Sequence, residues 1–274
     1  MKNRLRFFIN LVRLSFSKFK EFWNNENLRF SLSRNFLVYS EIAIFFIVLS
    51  CTIKNETQKK ALILLSGGLD SCVSAKFAVQ NYNCYAIVFD YGQPRREILA
   101  AKKIARNLNI NSEVIKLPFL KAKTEYEIPE INAEELDNME VTAETAKAVW
   151  IPARNMMFIS IAASFAEKMN CSKIFVGLNA EEGATFPDNT WEFVDKFNEL
   201  LKYGTLKDVE VASPLINCYK GEIIMLGTSL GAPLELSWSC YKNGKYHCGE
   251  CESCLRRRRG FLRAGVLDLT EYEK

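Results

Sequence analysis

The sequence predicts an α/β fold in which helices cover both faces of a parallel sheet and a cysteine-rich tail closes the chain. Three observations carry that expectation. Short apolar, β-prone runs alternate with stretches of helical spacing from about residue 60 onward, a glycine-centred polar turn follows the first of those runs directly, and four cysteines crowd residues 240–254. Alternation of this kind calls for right-handed βαβ crossovers and therefore a parallel sheet. Ligands of such sheets gather at the carboxyl ends of the strands.

Residues 1–58 stand apart. They are rich in Phe, Asn, Ser and basic residues without a sustained period, and residues 1–60 hold 11 Lys and Arg against 4 Glu, although the whole 274-residue chain carries only +4. The rest of the chain is therefore slightly acidic, which argues against a nucleic-acid surface and direct nucleic-acid binding. The apolar run 36–53 is barely of spanning length, about 20 residues, and Glu41 inside it would cost roughly 2.5–3.5 kcal/mol at mid-bilayer. Residues 1–58 are read as an appendage, upstream sequence translated together with the domain that begins near Lys59; a membrane anchor is the competing reading. At 49% hydrophobic and 25% charged, the chain has the composition of a soluble globular protein. Nine cysteines, an odd number, do not suit a secreted disulfide framework, so reduced thiols and a cytoplasmic location are expected.

The first strand of the domain starts at Ala61 and runs into Leu64-Leu65-Ser66-Gly67-Gly68-Leu69-Asp70-Ser71, after which Cys72 to Gln80 has helical spacing. A strand-to-helix turn leaves free backbone N–H groups at a helix N-terminus, and paired glycines let that backbone close around anionic oxygens. The hydroxyls of Ser66 and Ser71 add donors, and Asp70 would hold Mg²⁺. An ordinary tight βα turn uses the same glycines. The lysine of a Walker A loop is missing, which points away from γ-phosphoryl transfer.

Beyond the loop, Cys84–Phe89 reads as a strand, Glu97–Leu108 as a helix and Ser112–Leu117 as a strand, with Asp90-Tyr91-Gly92-Gln93 at the ligand end. Residues 118–149 are acidic and irregular and are read as a solvated loop, or as a lid over the site. Arg154 and Asn155 open a long apolar helix from Met156 to Met169, where a charged ligand would be met; an N-cap at Asn155 with a surface arginine is the plainer reading. Cys171–Gly177 is another strand, followed by Asn179, Glu182 and a Pro187-Asp188 turn that suit a pocket at a strand end. Trp191–Tyr203 and Lys220–Leu230 read as helices around a turn at Ser213-Pro214-Leu215. Arg256–Arg259 is read as a solvated helix face.

Cys240, Cys248, Cys251 and Cys254 form C-x7-C-x2-C-x2-C. Four soft thiolates suit tetrahedral zinc in a closed structural site; an iron–sulfur cluster competes, and His247 could replace one cysteine. The remaining cysteines are unclustered and are read as small core residues. One histidine leaves little scope for histidine catalysis.

The loop resembles that of the PP-loop ATP pyrophosphatases. Taken with Asp90-Tyr91-Gly92-Gln93, Ile151-Pro152-Ala153-Arg154-Asn155, Gly177-Leu178-Asn179, Phe186-Pro187-Asp188, Trp238-Ser239-Cys240-Tyr241 and the cysteine array with Arg257, the chain from about Lys59 to its end resembles the 7-cyano-7-deazaguanine synthase family. That resemblance implies an adenine nucleotide alpha hydrolase-like sheet and ATP-dependent conversion of 7-carboxy-7-deazaguanine and ammonia to the nitrile in queuosine biosynthesis, with one Zn²⁺ per subunit and a homodimer. It places ATP on Leu65, Ser66, Gly67, Gly68, Leu69, Asp70, Ser71, Cys72, Val73, Ser74 and Ala75, and catalysis on Asp70, Ser71 and Arg154. Asn155, Asn179, Glu182 and Asp188 would bind the substrate, with Arg154 pairing to its carboxylate. Pro94-Arg95, Ala153, Glu182 and Asn189-Thr190 depart from the residues usual in that family, and they lie in the pocket loops. A PP-loop ligase acting on another carboxylate and a PP-loop tRNA thiolation enzyme are the alternatives.

Overall fold

Lys60–Leu64 has no polar side chain after its first residue, and it forms β1 at the centre of a five-stranded sheet. The structure is a computed structural model that describes residues 58–121 and 131–273; the expectations for residues 1–57 and for 122–130 lie outside the described residues. The other strands are β2 (Asn83–Asp90), β3 (Asn111–Lys116), β4 (Cys171–Phe175) and β5 (Glu210–Ala212). They run in the order β3-β2-β1-β4-β5, every pairing parallel. The expected α/β class and parallel sheet are thus present.

Side chains alternate across the strands, so β1 feeds two cores at once. Ala61 and Ile63 pack with Cys72, Ala75 and Ala78 of α1 (Leu69–Ala78) and with Ala101 and Ile104 of α2 (Arg95–Asn107). Leu62 faces the other way, with Ile159, Ala162 and Ala166 of α4 (Arg154–Met169) and Phe197 and Leu201 of α6 (Trp191–Gly204). A third cluster joins Leu69 and Val73 of α1 to Ile223 and Ile224 of α7 (Lys220–Leu230) and Phe261 of α8 (Glu252–Ala264). This last packing brings the C-terminal part of the chain up to the loop after β1.

Two expectations fail. Residues 118–149 are not simply a solvated loop: Ala133–Asp137 is a 3-10 turn and Met139–Val149 is a helix, α3, capped by the Asn138 side chain accepting from the N–H groups of Glu140 and Val141. Its inner face is Thr142, Thr145 and Ala146, too small and too polar to give an apolar period. Arg256–Arg259 is not a solvated face either, since Arg257 is only 1% exposed and Arg256 and Arg259 are ion-paired. The three-residue strand β5 carried no signal of its own at the sheet edge, and a four-residue helix, α5 (Ala180–Gly183), was likewise unforeseen.

Candidate active site

β1 ends in the loop Leu65–Gly68, and α1 starts at Leu69, three residues earlier than its spacing predicts. Asp70 and Ser71 are therefore already in the first helical turn, where backbone N–H groups have no partner within the helix. Gly67 has φ +96°, and a Cβ there would overlap the carbonyl oxygen of Glu97 and lie 2.8 Å from the Ala101 nitrogen, so no side chain fits. The two hydroxyls close the loop on itself: Ser66 Oγ donates to Ser71 Oγ at 3.0 Å, and Ser71 Oγ accepts the Gly67 N–H at 3.2 Å and donates to the Gly68 carbonyl at 3.0 Å. Gly177, at the end of β4, lies against this helix start, since a Cβ on it would come within 2.8 Å of the Ser71 nitrogen.

A cavity of about 360 Å³ opens at the carboxyl ends of β1, β2 and β4. Its floor is apolar, with Leu64, Ile87, Phe89, Phe158 and Val176, and its rim is charged, with Asp70, Glu97, Arg154, Glu182 and Lys220. Asp70 is clasped from across the cavity: Lys220 Nζ lies 2.6 and 2.9 Å from its two carboxylate oxygens, and Asn179 Nδ2 donates to Oδ2 at 3.3 Å. Burial pulls the Lys220 ammonium down, but Asp70 and Glu182 outweigh it and hold the group above its ordinary range. Burial pushes the Glu182 carboxyl up despite Lys220.

Arg154 enters α4 from Ala153, whose φ of +55° is left-handed backbone that glycine adopts more readily. Burial works against its charge, and Tyr91, Glu182, Asp188 and Glu97 more than compensate. Glu97 faces the same space, and burial lifts its carboxyl to about 7 although Arg154 opposes the shift. Asn155 is not the cap of α4; its Nδ2 donates to the Asp188 carbonyl at 3.3 Å, tying α4 to the Pro187-Asp188 turn. Trp150 and Phe186 stack at 5.7 Å and 7° on the cavity wall.

The four cysteines converge, with all Sγ atoms within 4.8 Å of one another and Cys248 and Cys254 at 3.9 Å. Tetrahedral zinc at a Zn–S distance near 2.3 Å needs sulfurs about 3.8 Å apart, so the donor set fits that ion. Backbone N–H groups of Lys242 and Cys248 point at Cys240 Sγ, and that of Cys251 at Cys248 Sγ, as thiolates require. His247 lies outside the group: its Nε2 accepts the Ser239 N–H at 3.0 Å, and burial, followed by Arg257, lowers it to about 4, so it is neutral at pH 7. From this knuckle Arg257 reaches inward to Ser237 Oγ, Ser239 Oγ and the Leu234 carbonyl at 2.8, 3.2 and 3.0 Å. The segment it holds donates the Trp238 N–H to the Gly67 carbonyl at 2.8 Å. The tail thus supports the loop after β1.

The fold brings together Leu65, Ser66, Gly68, Leu69, Asp70, Ser71, Arg154, Asn155, Glu182 and Asp188 on one cavity. Cys72, Val73, Ser74 and Ala75 lie on the buried side of α1. Asn179 sits behind the wall with both ends of its amide engaged, by Asp70 and by the Glu182 N–H. Sequence reasoning missed Lys220 and Glu181. The first opens a helix 150 residues from its partner, and the second reads as one more loop acid; no local pattern marks either.

Comparison with known proteins finds one family. The family model described as "Queuosine biosynthesis protein QueC" matches residues 60–265. Among curated proteins, the 7-cyano-7-deazaguanine synthase of Methanocaldococcus jannaschii is 50% identical over 230 residues, covering 78% of this chain and 99% of that protein. Those of Methanococcus maripaludis strain S2 and Methanobrevibacter smithii are 49% and 43% identical over 78% and 79% of this chain, covering 98% and 99% of their own lengths.

Proposed function

The chain belongs to the QueC family of queuosine biosynthesis proteins, and from that premise we propose that it converts 7-carboxy-7-deazaguanine, ammonia and ATP to 7-cyano-7-deazaguanine. It is an ATP-dependent carbon–nitrogen ligase. One observation carries the reading of its chemistry. The phosphate-type loop at Ser66–Ser71 shares a single cavity with Arg154, Glu182 and Asp188, so a nucleotide and a second, hydrogen-bonding molecule can meet there.

A nitrile is reached from an acid by removing both oxygens. A carboxylate oxygen attacks the α-phosphorus, the bond to the β-phosphate oxygen breaks, and pyrophosphate leaves; ammonia then displaces AMP to give the amide. The amide oxygen takes a second adenylyl group, and its departure as AMP with loss of both N–H protons leaves the nitrile. In this reading the first-turn N–H groups of α1 and the Ser66 and Ser71 hydroxyls hold the phosphates. Arg154 orients the acid or the acidic groups around it, and Glu182 and Asp188 accept from the donor edge of the base. Asp70 would hold Mg²⁺, which neutralises pyrophosphate charge when bound; its two oxygens are hard donors of the right type. The four thiolates would hold one Zn²⁺ that ties the tail to the domain. The family resemblance further supports a cytoplasmic homodimer acting on small molecules without direct nucleic-acid contact, and among the described residues no single helix is long and apolar enough to cross a membrane.

Incubating the full chain with 7-carboxy-7-deazaguanine, Mg-ATP and ammonium, and following products by mass, tests the proposal. Nitrile formation that is lost in Asp70→Ala and Ser71→Ala is expected. ATP turnover that this acid does not stimulate would point to another carboxylate.

A further inference from the structure

We propose that Glu97 is the ammonium-binding residue of the cavity and the base that frees the ammonia attacking the activated acid. The inference rests on the reading of the cavity as the place where an acid is adenylated, and it gives the second substrate a position there. Glu97 lies in the first turn of α2 and lines the cavity with Ser66, Ser71 and Arg154. Its backbone is packed against the phosphate-type loop, since it is the Glu97 carbonyl that a Cβ on Gly67 would strike. The turn that delivers it is fixed as well: the Gln93 side chain donates to the Phe89 carbonyl at 2.6 Å and accepts the Tyr91 N–H at 2.9 Å.

Among the described residues the Glu97 carboxyl makes no hydrogen bond. Arg154 of α4 and Tyr91 at the end of β2 are the titratable groups that face it, and Arg154 is shared with Tyr91, Glu182 and Asp188. Asp70, Glu182 and Lys220, the other charges of the rim, are engaged with one another. The adjoining floor is aromatic: Phe158 stacks on Phe89 at 4.3 Å and tilts against Tyr91 at 5.4 Å. An unpartnered carboxyl beside ring faces suits a small cation with several N–H donors. Ammonium is the cation the reaction requires, and Arg154 is left for the acid. Ammonium cannot attack carbon until it loses a proton. The Glu97 carboxylate takes that proton, and the freed lone pair bonds to the carbonyl carbon of the acyl-adenylate. The bond to the AMP oxygen breaks with its electron pair on AMP, and the attached nitrogen loses a second proton to water, leaving the amide. Burial holds the Glu97 carboxyl up to about 7, so at neutral pH it can take the proton and return it to water before the next turnover.

The test compares the wild type with Glu97→Gln in the full chain, using 7-carboxy-7-deazaguanine and Mg-ATP. Exchange of labelled pyrophosphate into ATP, run without ammonium, reads adenylation alone and should persist in the variant. At neutral pH, kcat/KM for ammonium should fall by about 100-fold or more. Hydroxylamine, a neutral nucleophile at that pH, needs no base and should give the hydroxamate at similar rates in both proteins. With ammonium, the wild-type rate should level off above about 7, once Glu97 is ionised, whereas the rate of the variant keeps climbing with pH because only free ammonia reacts. Equal loss of the ammonium and hydroxylamine reactions, an unchanged kcat/KM for ammonium, or loss of exchange in the variant alone would overturn the proposal. Absence of exchange in the wild type would instead overturn the adenylation reading beneath it.

Discussion

Gly67 and Gly68 are neighbours in the loop, yet alanine at each has opposite expected consequences. At Gly67 the backbone has φ +96°, and an added Cβ would overlap the Glu97 carbonyl and sit 2.8 Å from the Ala101 nitrogen, both on α2. An L-residue there costs about 1–2 kcal/mol for its backbone and about 1–3 kcal/mol for forcing packed main chain apart. The sum, about 2–5 kcal/mol, lowers the melting temperature of a domain of this size by roughly 5–20 °C. Gly68 has φ −73°, and its added Cβ meets nothing closer than Ser66 Oγ at 3.4 Å. The reduced freedom of the unfolded chain returns about 0.4–1 kcal/mol, which offsets the weaker cap that alanine makes, so the melting temperature should move by no more than about 2 °C. Because Gly68 lines the cavity, that variant should lose nucleotide affinity while keeping its fold. Scanning calorimetry and ATP titration of both full-length variants provide the assay. A Gly67→Ala protein that melts within about 2 °C of wild type, or two variants equally destabilised, would refute the reasoning.

Glu97→Gln tests the cavity's electrostatics. A carboxyl lifted from 4.5 to about 7 contributes stability that is complete below pH 4.5 and lost as pH rises through 7. After allowance for water in the cavity, the variant should gain about 2 kcal/mol relative to wild type between pH 5 and pH 8 in urea melts; a difference that does not change with pH contradicts this. Arg257→Met strands Ser237 Oγ, Ser239 Oγ and the Leu234 carbonyl, and removes the cation 3.4 Å from Asp268. It should cost about 3 kcal/mol or more and weaken ATP binding through the Trp238–Gly67 contact, whereas nucleotide affinity equal to wild type would sever the tail from the loop. Metal analysis of the purified chain should give about one zinc per chain, and Cys254→Ser should release it; iron with sulfide would rule out the zinc reading.

Strands β1 to β4 were legible as short β-prone runs bounded by turn residues, whereas the three-residue β5 was not, and the loop was legible because a phosphate cradle needs small residues and hydroxyls in fixed order. The cysteine array was legible for the same reason: its ligands are close in sequence. Illegible features depend on residues far apart. Lys220 meets Asp70 only because α7 packs on α1, where a Cβ on Gly227 would come within 2.7 Å of Val73 Cγ2. Arg256, Arg257 and Arg259 look like a solvated basic run until Glu181, Asp137 and Ser237 arrive from elsewhere. Helix α3 was hidden because threonine and alanine make its inner face.

The position of nucleotide attack is the most direct test. With 7-carboxy-7-deazaguanine labelled with ¹⁸O in both carboxylate oxygens, attack on the α-phosphorus in both steps predicts one ¹⁸O in each AMP released and two AMP for every nitrile formed. Label in inorganic phosphate would show transfer from the γ-position, and a nitrile formed with unlabelled AMP would show that the loop at Ser66–Ser71 does not activate the acid by adenylation.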